Sequence, residues 1–328
     1  MLVFLSIGVF LLWLAMRGQD FSQLWSQITQ FNYWWIALSL LMNFLSHFSR
    51  AVRWNMLIEP LGYKPKLANT TLAVFVGYLA NYALPRMGEV SRCAILSRYE
   101  KQPFTPLFGT VFTERVIDTL ALLLITAGTV LFQFKDIVKF FESNPESFKS
   151  LNHLLHSTPI LLGLFVVVAI FIGLIYKFWD KIAKIGVMQK VIGIAIGFVE
   201  GLKSVLKLKS KMAFLAHTLF IWTMYYVSFY VCFFAYGPTS HLGASVALTA
   251  FIMATFGMVA PVQGGIGVWH SMVIATLLLY GVDKAVSAPW TIVVHGSMTL
   301  LLIVLGFIAL ILLPIVNKNY NPQATLEQ

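Results

Sequence analysis

The sequence predicts an all-α, polytopic integral membrane protein with about six full spans and two re-entrant helical hairpins in an inverted-repeat arrangement. Three observations carry that expectation: a composition too apolar for water, apolar runs of bilayer length, and loop charge that alternates from side to side. Of 328 residues, 59% are apolar and 11% are charged, against about 25% charged in a soluble domain. The 36 ionisable Lys, Arg, Asp and Glu side chains are too few to cover a soluble core of this size. The chain reads as one transmembrane domain over 1–328, with a first half at about 34–134, a basic segment at 177–211 and a second half at about 212–313.

Apolar stretches that span or enter a bilayer fall near 1–16, 34–48, 68–84, 106–134, 158–176, 212–236, 242–262, 266–281 and 287–313. The first has no basic leader and no small-residue cleavage site, and falls short of the ~20 residues that a span needs. It reads as a span whose start lies further upstream, with a cleaved signal as the alternative. Orientation follows from the retention of Lys and Arg on the cytoplasmic side. Residues 50–101 carry eight basic side chains and 177–211 carry eight lysines against Asp180 and Glu200, so both are assigned inside. Loop 135–157 balances three lysines with three acids, and 237–241 has neither Lys nor Arg; both are assigned outside. Both termini are then cytoplasmic.

With those sides set, 68–100 must begin and end inside. It forms a hairpin with its apex at Leu84-Pro85-Arg86-Met87-Gly88 and a returning arm from Glu89 to about Tyr99 that is too short and too charged to span in contact with lipid. The stretch 242–281 begins and ends outside, broken at Pro261-Val262-Gln263-Gly264-Gly265-Ile266-Gly267. It is either a second hairpin or two short spans. Hairpins entering from opposite faces are the sign of a transporter site between broken helices near mid-membrane. No residue-level repeat accompanies this topological symmetry. Between the halves, 186–209 mixes Ile, Val and Phe with four lysines, and reads as an interfacial helix drawn to anionic headgroups or as an ordinary positive-inside loop.

The net charge of +10 is therefore a matter of topology. No nucleic-acid motif accompanies it. Cys93 and Cys232 have neither metal-ligand spacing nor a disulfide framework. The glycines at 264–267 lack the Lys-Ser/Thr of a phosphate-binding loop, and no nucleophile elbow or HExxH is present. No cofactor or metal is expected.

Charge placed at depth marks the candidate site. Glu114, Arg115 and Asp118 fall about 12 to 18 Å along a helix beginning near residue 106, close to the bilayer middle, where a charge costs several kcal/mol unless it meets polar groups or water. Asp118 lies three residues from Arg115 and four from Glu114, so a local Arg115–carboxylate pair leaves one acid over. The group is either an ion cluster that locks helices or a substrate or proton site. At the first apex, Arg86 and Arg92, with Glu89 between them, offer guanidinium groups to phosphate or snorkel towards the cytoplasm, a reading strongest for Arg98 and Lys101 and weakest for Arg86. The returning arms begin at about Gly88 and Gly267, and their helix N-termini, with Gly264 and Gly265 beside the second, favour an anion. Asn43, His47, Arg50 and Arg53 are secondary candidates for the same cavity or for helix-helix bonding. Intramembrane His270 and His295 are proton carriers or packing residues.

Arg50-Ala-Val-Arg53-Trp54, Leu84-Pro85-Arg86-Met87-Gly88-Glu89-Val90-Ser91-Arg92, Glu114-Arg115-Val116-Ile117-Asp118 and Pro261 with Gly264-Gly265-Ile266-Gly267 resemble, in that order, the lysylphosphatidylglycerol synthase transmembrane family. The resemblance covers nearly the whole chain. It implies a flippase-like module of the bacterial inner membrane that moves an anionic phospholipid or lipid-linked headgroup between leaflets, without the aminoacyltransferase domain of the two-domain members. His270 stands where many relatives place a Glu, which weakens lysylphosphatidylglycerol as the cargo and leaves other anionic lipids open. An ion-coupled small-solute transporter and a headgroup-modifying membrane enzyme are the alternatives, and a homo-oligomer is left open.

Overall fold

The computed structural model describes residues 2–18, 20–134 and 205–318. Within them run α1 (Leu2–Met16), α2 (Phe21–Ile28), α3 (Tyr33–Ile58), α4 (Leu67–Ala83), α5 (Met87–Glu100), α6 (Phe104–Phe132), α7 (Lys211–Val231), α8 (Ala244–Val259), α9 (Val268–Leu279) and α10 (Lys284–Val316), with no strand among the described residues. Among the described residues, three helices are long and apolar enough to cross a membrane: α6, α7 with its 3-10 extension to Ala235, and α10. The protein is an all-α, polytopic membrane protein. The expected outside loop 135–157, the apolar run 158–176 and all but the last residues of the basic segment 177–211 lie outside the described residues.

Local chemistry sets the helix limits. Asn32 caps α3, its Oδ1 accepting from the Trp34 N–H at 3.1 Å. The helix then runs 26 residues, past the end of the apolar run at 48, and a 3-10 turn closed by Gly62 in the left-handed region ends it (φ 87°). Arg50 and Arg53 are therefore buried helix residues, and counting them as cytoplasmic loop charges is corrected. Pro103 precedes the first residue of α6, where a missing N–H costs nothing. Along α6 the Thr126 and Thr129 hydroxyls donate to carbonyls four residues back, satisfying themselves where lipid offers no partner.

Two helix pairs fold back on themselves. In α4–α5 the backbones cross at Gly77 and Gly88, where a Cβ on Gly77 would come within 2.9 Å of the Gly88 carbonyl oxygen. Near the tip, Asn81 Oδ1 accepts from the Gly88 N–H at 2.7 Å. At the feet, Glu100 Oε1 accepts from the Lys66 N–H (3.0 Å) and from Asn69 Nδ2 (2.6 Å), while Asn69 also bonds Asn317 at the end of α10. The second pair, α8–α9, crosses where Gly257 meets Trp269, a Cβ there lying 2.9 Å from Trp269 Cα. Its feet are tied by Tyr280, which donates to Thr249 (3.1 Å) and to Gln133 at the end of α6 (3.2 Å).

These contacts define two ends. The feet of α4–α5 lie with the C-terminal ends of α3 and α10, among Lys64, Lys66, Arg98, Lys101, Lys207, Lys209, Lys211 and Lys318. There Lys209 bonds Glu59 at 2.8 Å and holds its carboxyl below the usual range. The feet of α8–α9 lie with the opposite ends of α3, α6 and α10, where Asn32 bonds the Ala235 carbonyl and Trp290 bonds that of Cys232. α10, 33 residues and about 50 Å long, runs between the two ends. Near its middle it meets both tips: Tyr82 of α4 bonds Thr299 at 3.4 Å, and His295 bonds the Gly264 carbonyl at 3.0 Å. Aromatic packing of Phe229, Phe233, Trp269 and Trp290 fills one core, and Trp54, Ile58, Leu96 and Leu107 fill another.

Candidate functional site

Helical spacing gathers five ionised groups in the interior. α3 presents Arg50 and Arg53 three residues apart, α6 presents Glu114 and Asp118 four apart, and both spacings keep their pair on one face. Arg92 reaches in from α5. Arg50 Nη1 lies 2.7 Å from Glu114 Oε1 and 3.0 Å from Asp118 Oδ2. Arg53 Nη2 lies 2.7 Å from Asp118 Oδ1 and 3.5 Å from Glu114 Oε1. Arg92 Nη1 lies 2.9 Å from Glu114 Oε2. All five side chains are buried, Glu114 and Arg53 completely.

Three cations face two anions here. The expected local pair of Arg115 with a carboxylate, leaving one acid over, is corrected: Arg115 points to the exposed face of α6 and its Nε lies 3.3 Å from Glu89 of α5, while Asp118 is held by the α3 arginines. The unbalanced group is a cation. Arg92 is only half satisfied, its Nε and Nη2 being buried without a hydrogen-bond partner and its guanidinium stacked 4.5 Å over the Trp54 ring. Trp54 is fixed in turn by donating Nε1–H to Thr110 at 2.8 Å.

Arg86 stands at the tip of α4–α5, at the start of the helix that carries Arg92. Its backbone is left-handed (φ 65°), a conformation that costs an L-residue about 1–2 kcal/mol and that glycine adopts freely. The side chain is exposed and makes no hydrogen bond or ion pair with the described residues. Lys101, at the foot of the same hairpin, is also left-handed (φ 51°), so the backbone alone does not mark a site. Arg86 differs in opening the helix that carries Glu89 three residues on and Arg92 six residues on.

The tip of α8–α9 carries the remaining candidates. Gly264, Gly265 and Gly267 have positive φ of 56°, 73° and 83°, and any side chain on Gly264 would strike the Tyr82 ring. The Gly264 carbonyl accepts from His295 Nε2, so that nitrogen carries the proton in the neutral ring. The His270 and His295 rings stand 4.7 Å apart, both against Trp269. The expectation that Gly267 opens a helix N-terminus to an anion is corrected, because α1 packs across it, with the Gly8 carbonyl and the Leu12 N–H against Gly267.

Asn43 and His47 do not join the ion cluster directly. Asn43 donates to its own helix at Ser39, and His47 Nδ1 lies 3.3 Å from the Tyr225 hydroxyl. Tyr225 in turn lies under Arg50, 6.0 Å from its guanidinium carbon. Sequence reasoning missed Trp54, Tyr82 and Gln263 as site residues. For Trp54 the available signal was its place four residues after Arg50; Tyr82 and Gln263 gave none beyond lying near the breaks.

The family model described as "Lysylphosphatidylglycerol synthase TM region" matches residues 1–306. The chain belongs to that family. Among curated proteins it is 24% identical over 296 residues to a UPF0104 membrane protein of Methanocaldococcus jannaschii, covering 85% of this chain and 84% of the relative. It is 22% identical over 283 residues to a UPF0104 membrane protein of Methanothermobacter thermautotrophicus, covering 79% of each. No solved structure matches the chain. The family is flippase-like and membrane-embedded, and the match takes in α1 to α9 and most of α10.

Proposed function

We propose that this protein moves an anionic phospholipid or lipid-linked headgroup between the leaflets of a bacterial cytoplasmic membrane. The observation that supports this best is the buried cluster of Arg50, Arg53, Arg92, Glu114 and Asp118, whose arginines outnumber its acids by three to two, with the unpartnered Arg86 on the same hairpin as Arg92. An interior cation without a counter-ion is expensive in hydrocarbon, and a phosphate diester supplies the missing negative charge. Arginine binds phosphate through paired N–H groups, and Arg92 and Arg86 have such groups to spare.

On this reading α4–α5 is a re-entrant hairpin with its feet on the cytoplasmic, lysine-rich side, and α8–α9 is its counterpart from outside. Both termini are cytoplasmic, and among the described residues α1, α3, α6, α7 and α10 are the full spans. The headgroup passes the point where the tips meet α10 while the acyl chains stay in lipid. Arg86, Arg92 and Arg115 hold phosphate, and Glu89, Glu114 and Asp118 balance the arginines. Movement is downhill or proton-driven.

Purified protein in liposomes should move acyl-labelled phosphatidylglycerol between leaflets without changing its mass. A product of altered mass would make the protein an enzyme, and solute uptake without lipid movement would make it a small-solute carrier. Arg86→Ala that moves lipid at the wild-type rate would remove Arg86 from the site.

A further inference from the structure

The two hairpin tips differ in the chemistry they offer. The α4–α5 tip offers cationic donors. At the α8–α9 tip, two neutral polar side chains are buried to 5% exposure and lack a partner: Gln263 at its Oε1 and His270 at its Nδ1. A buried polar atom left unpaired costs about 1–3 kcal/mol, so each such atom in a membrane interior calls for a ligand or a reason. The two groups belong to one local structure. His270 packs against His295, and His295 donates to the carbonyl of Gly264, the neighbour of Gln263.

Among the described residues, the side chains that the packed elements set against this tip are uncharged. α4 contributes Tyr82, α10 contributes His295 and Thr299, α8 contributes Met258, and α1 contributes Gly8 and Leu12. Among the described residues, the carboxylates Glu89, Glu114 and Asp118 are paired with arginines away from this tip. An ammonium group, which brings a positive charge and only donors, would find no carboxylate here. A hydroxyl is both donor and acceptor, and so are an amide and a neutral imidazole. The match holds for either orientation of the Gln263 amide and either tautomer of His270.

We infer that the headgroup this protein moves carries hydroxyl groups beyond its phosphate, as a glycerol or a sugar does, and that Gln263 and His270 receive them. The inference rests on the lipid-transport reading and narrows its cargo. One headgroup can reach both tips, because Tyr82, four residues before Arg86, rests on Gly264 beside Gln263. The phosphate is held from the arginine side and the hydroxyls from the glycine side.

The test compares three lipids of equal charge in proteoliposomes, acyl-labelled phosphatidylglycerol and phosphatidylinositol, which carry hydroxyls, and phosphatidylmethanol, which carries none, and adds the zwitterionic phosphatidylethanolamine, which carries an ammonium. The hydroxylated lipids should cross at least about tenfold faster than phosphatidylmethanol. Their order distinguishes a ring-shaped headgroup from glycerol. In Gln263→Met and His270→Phe the ratio of phosphatidylglycerol to phosphatidylmethanol should fall towards one. Gln263→Glu should shift preference towards phosphatidylethanolamine. Equal wild-type rates for phosphatidylglycerol and phosphatidylmethanol overturn the inference and leave lipid transport standing, as does a ratio that both apolar variants preserve. Movement of none of the four lipids overturns the transport reading and the inference with it.

Discussion

Glu114 holds the interior together, and Glu114→Gln isolates what its charge does. Its carboxylate meets three guanidinium groups, at 2.7, 3.5 and 2.9 Å. At an effective dielectric constant of about 20, each such attraction is worth about 4 kcal/mol at 4 Å before desolvation is subtracted. Removing one side of a buried pair typically costs about 3–5 kcal/mol. Glu114→Gln raises the cluster from one excess positive charge to two, so the loss should lie in that range. Arg92→Met does the opposite: it leaves two arginines against two acids and forfeits one ion pair and the stacking on Trp54, so its cost should be smaller, about 1–2 kcal/mol. Combining the two should cost less than the sum of the single changes by about 1–3 kcal/mol, since they share a contact. Tryptophan fluorescence during thermal unfolding in detergent reads these differences, and the Glu114→Gln midpoint should drop by about 10 °C at a few degrees per kcal/mol. If that variant unfolds within about 2 °C of the wild type, or if Arg92→Met is the more damaging change, the accounting of charge in this cluster is wrong.

Arg86→Gly should leave the thermal midpoint equal or slightly higher, because it relieves a left-handed backbone worth about 1 kcal/mol, yet cut lipid movement at least about tenfold; a variant that is both less stable and fully active would refute the assignment. Gly264→Ala should destabilise the fold through its collision with Tyr82, and Tyr82→Leu in the same chain should restore most of the loss, as measured by the same unfolding assay. Glu59 lies beyond the end of α3 at the lysine-rich end, with its carboxyl below the ordinary range because Lys209 bonds it. A folded value below the unfolded one means that the pairing is complete at neutral pH and is lost as pH falls through the folded value, and Lys209→Ala should return the Glu59 titration, followed by carbon NMR, to the usual carboxylate range.

The helices were legible because hydrocarbon demands long apolar runs, and the breaks were legible because Pro85, Gly88, Pro261 and Gly264 interrupt two of them. Glu114 and Asp118 stood out for the same reason: charge within such a run needs an explanation. The partners of these acids were hidden. Arg50 and Arg53 end the apolar part of their run, and only carboxylates more than sixty positions away make it possible to continue the helix through them. Arg115 was misread because spacing along one helix was weighed without a neighbour, and Glu89 of α5 proved the better partner. The covering of Gly267 by α1 and the open polar atoms of Gln263 and His270 are tertiary facts that no local pattern carries.

The glycine crossings have a mechanical consequence. At Gly77 against Gly88, and at Gly257 against Trp269, backbone touches backbone so closely that a methyl group would not fit, and such interlocked arms cannot slide or roll past each other. Each pair therefore holds together as one stiff unit, so whatever shifts one arm carries the arginines or the glycines of its tip along with it.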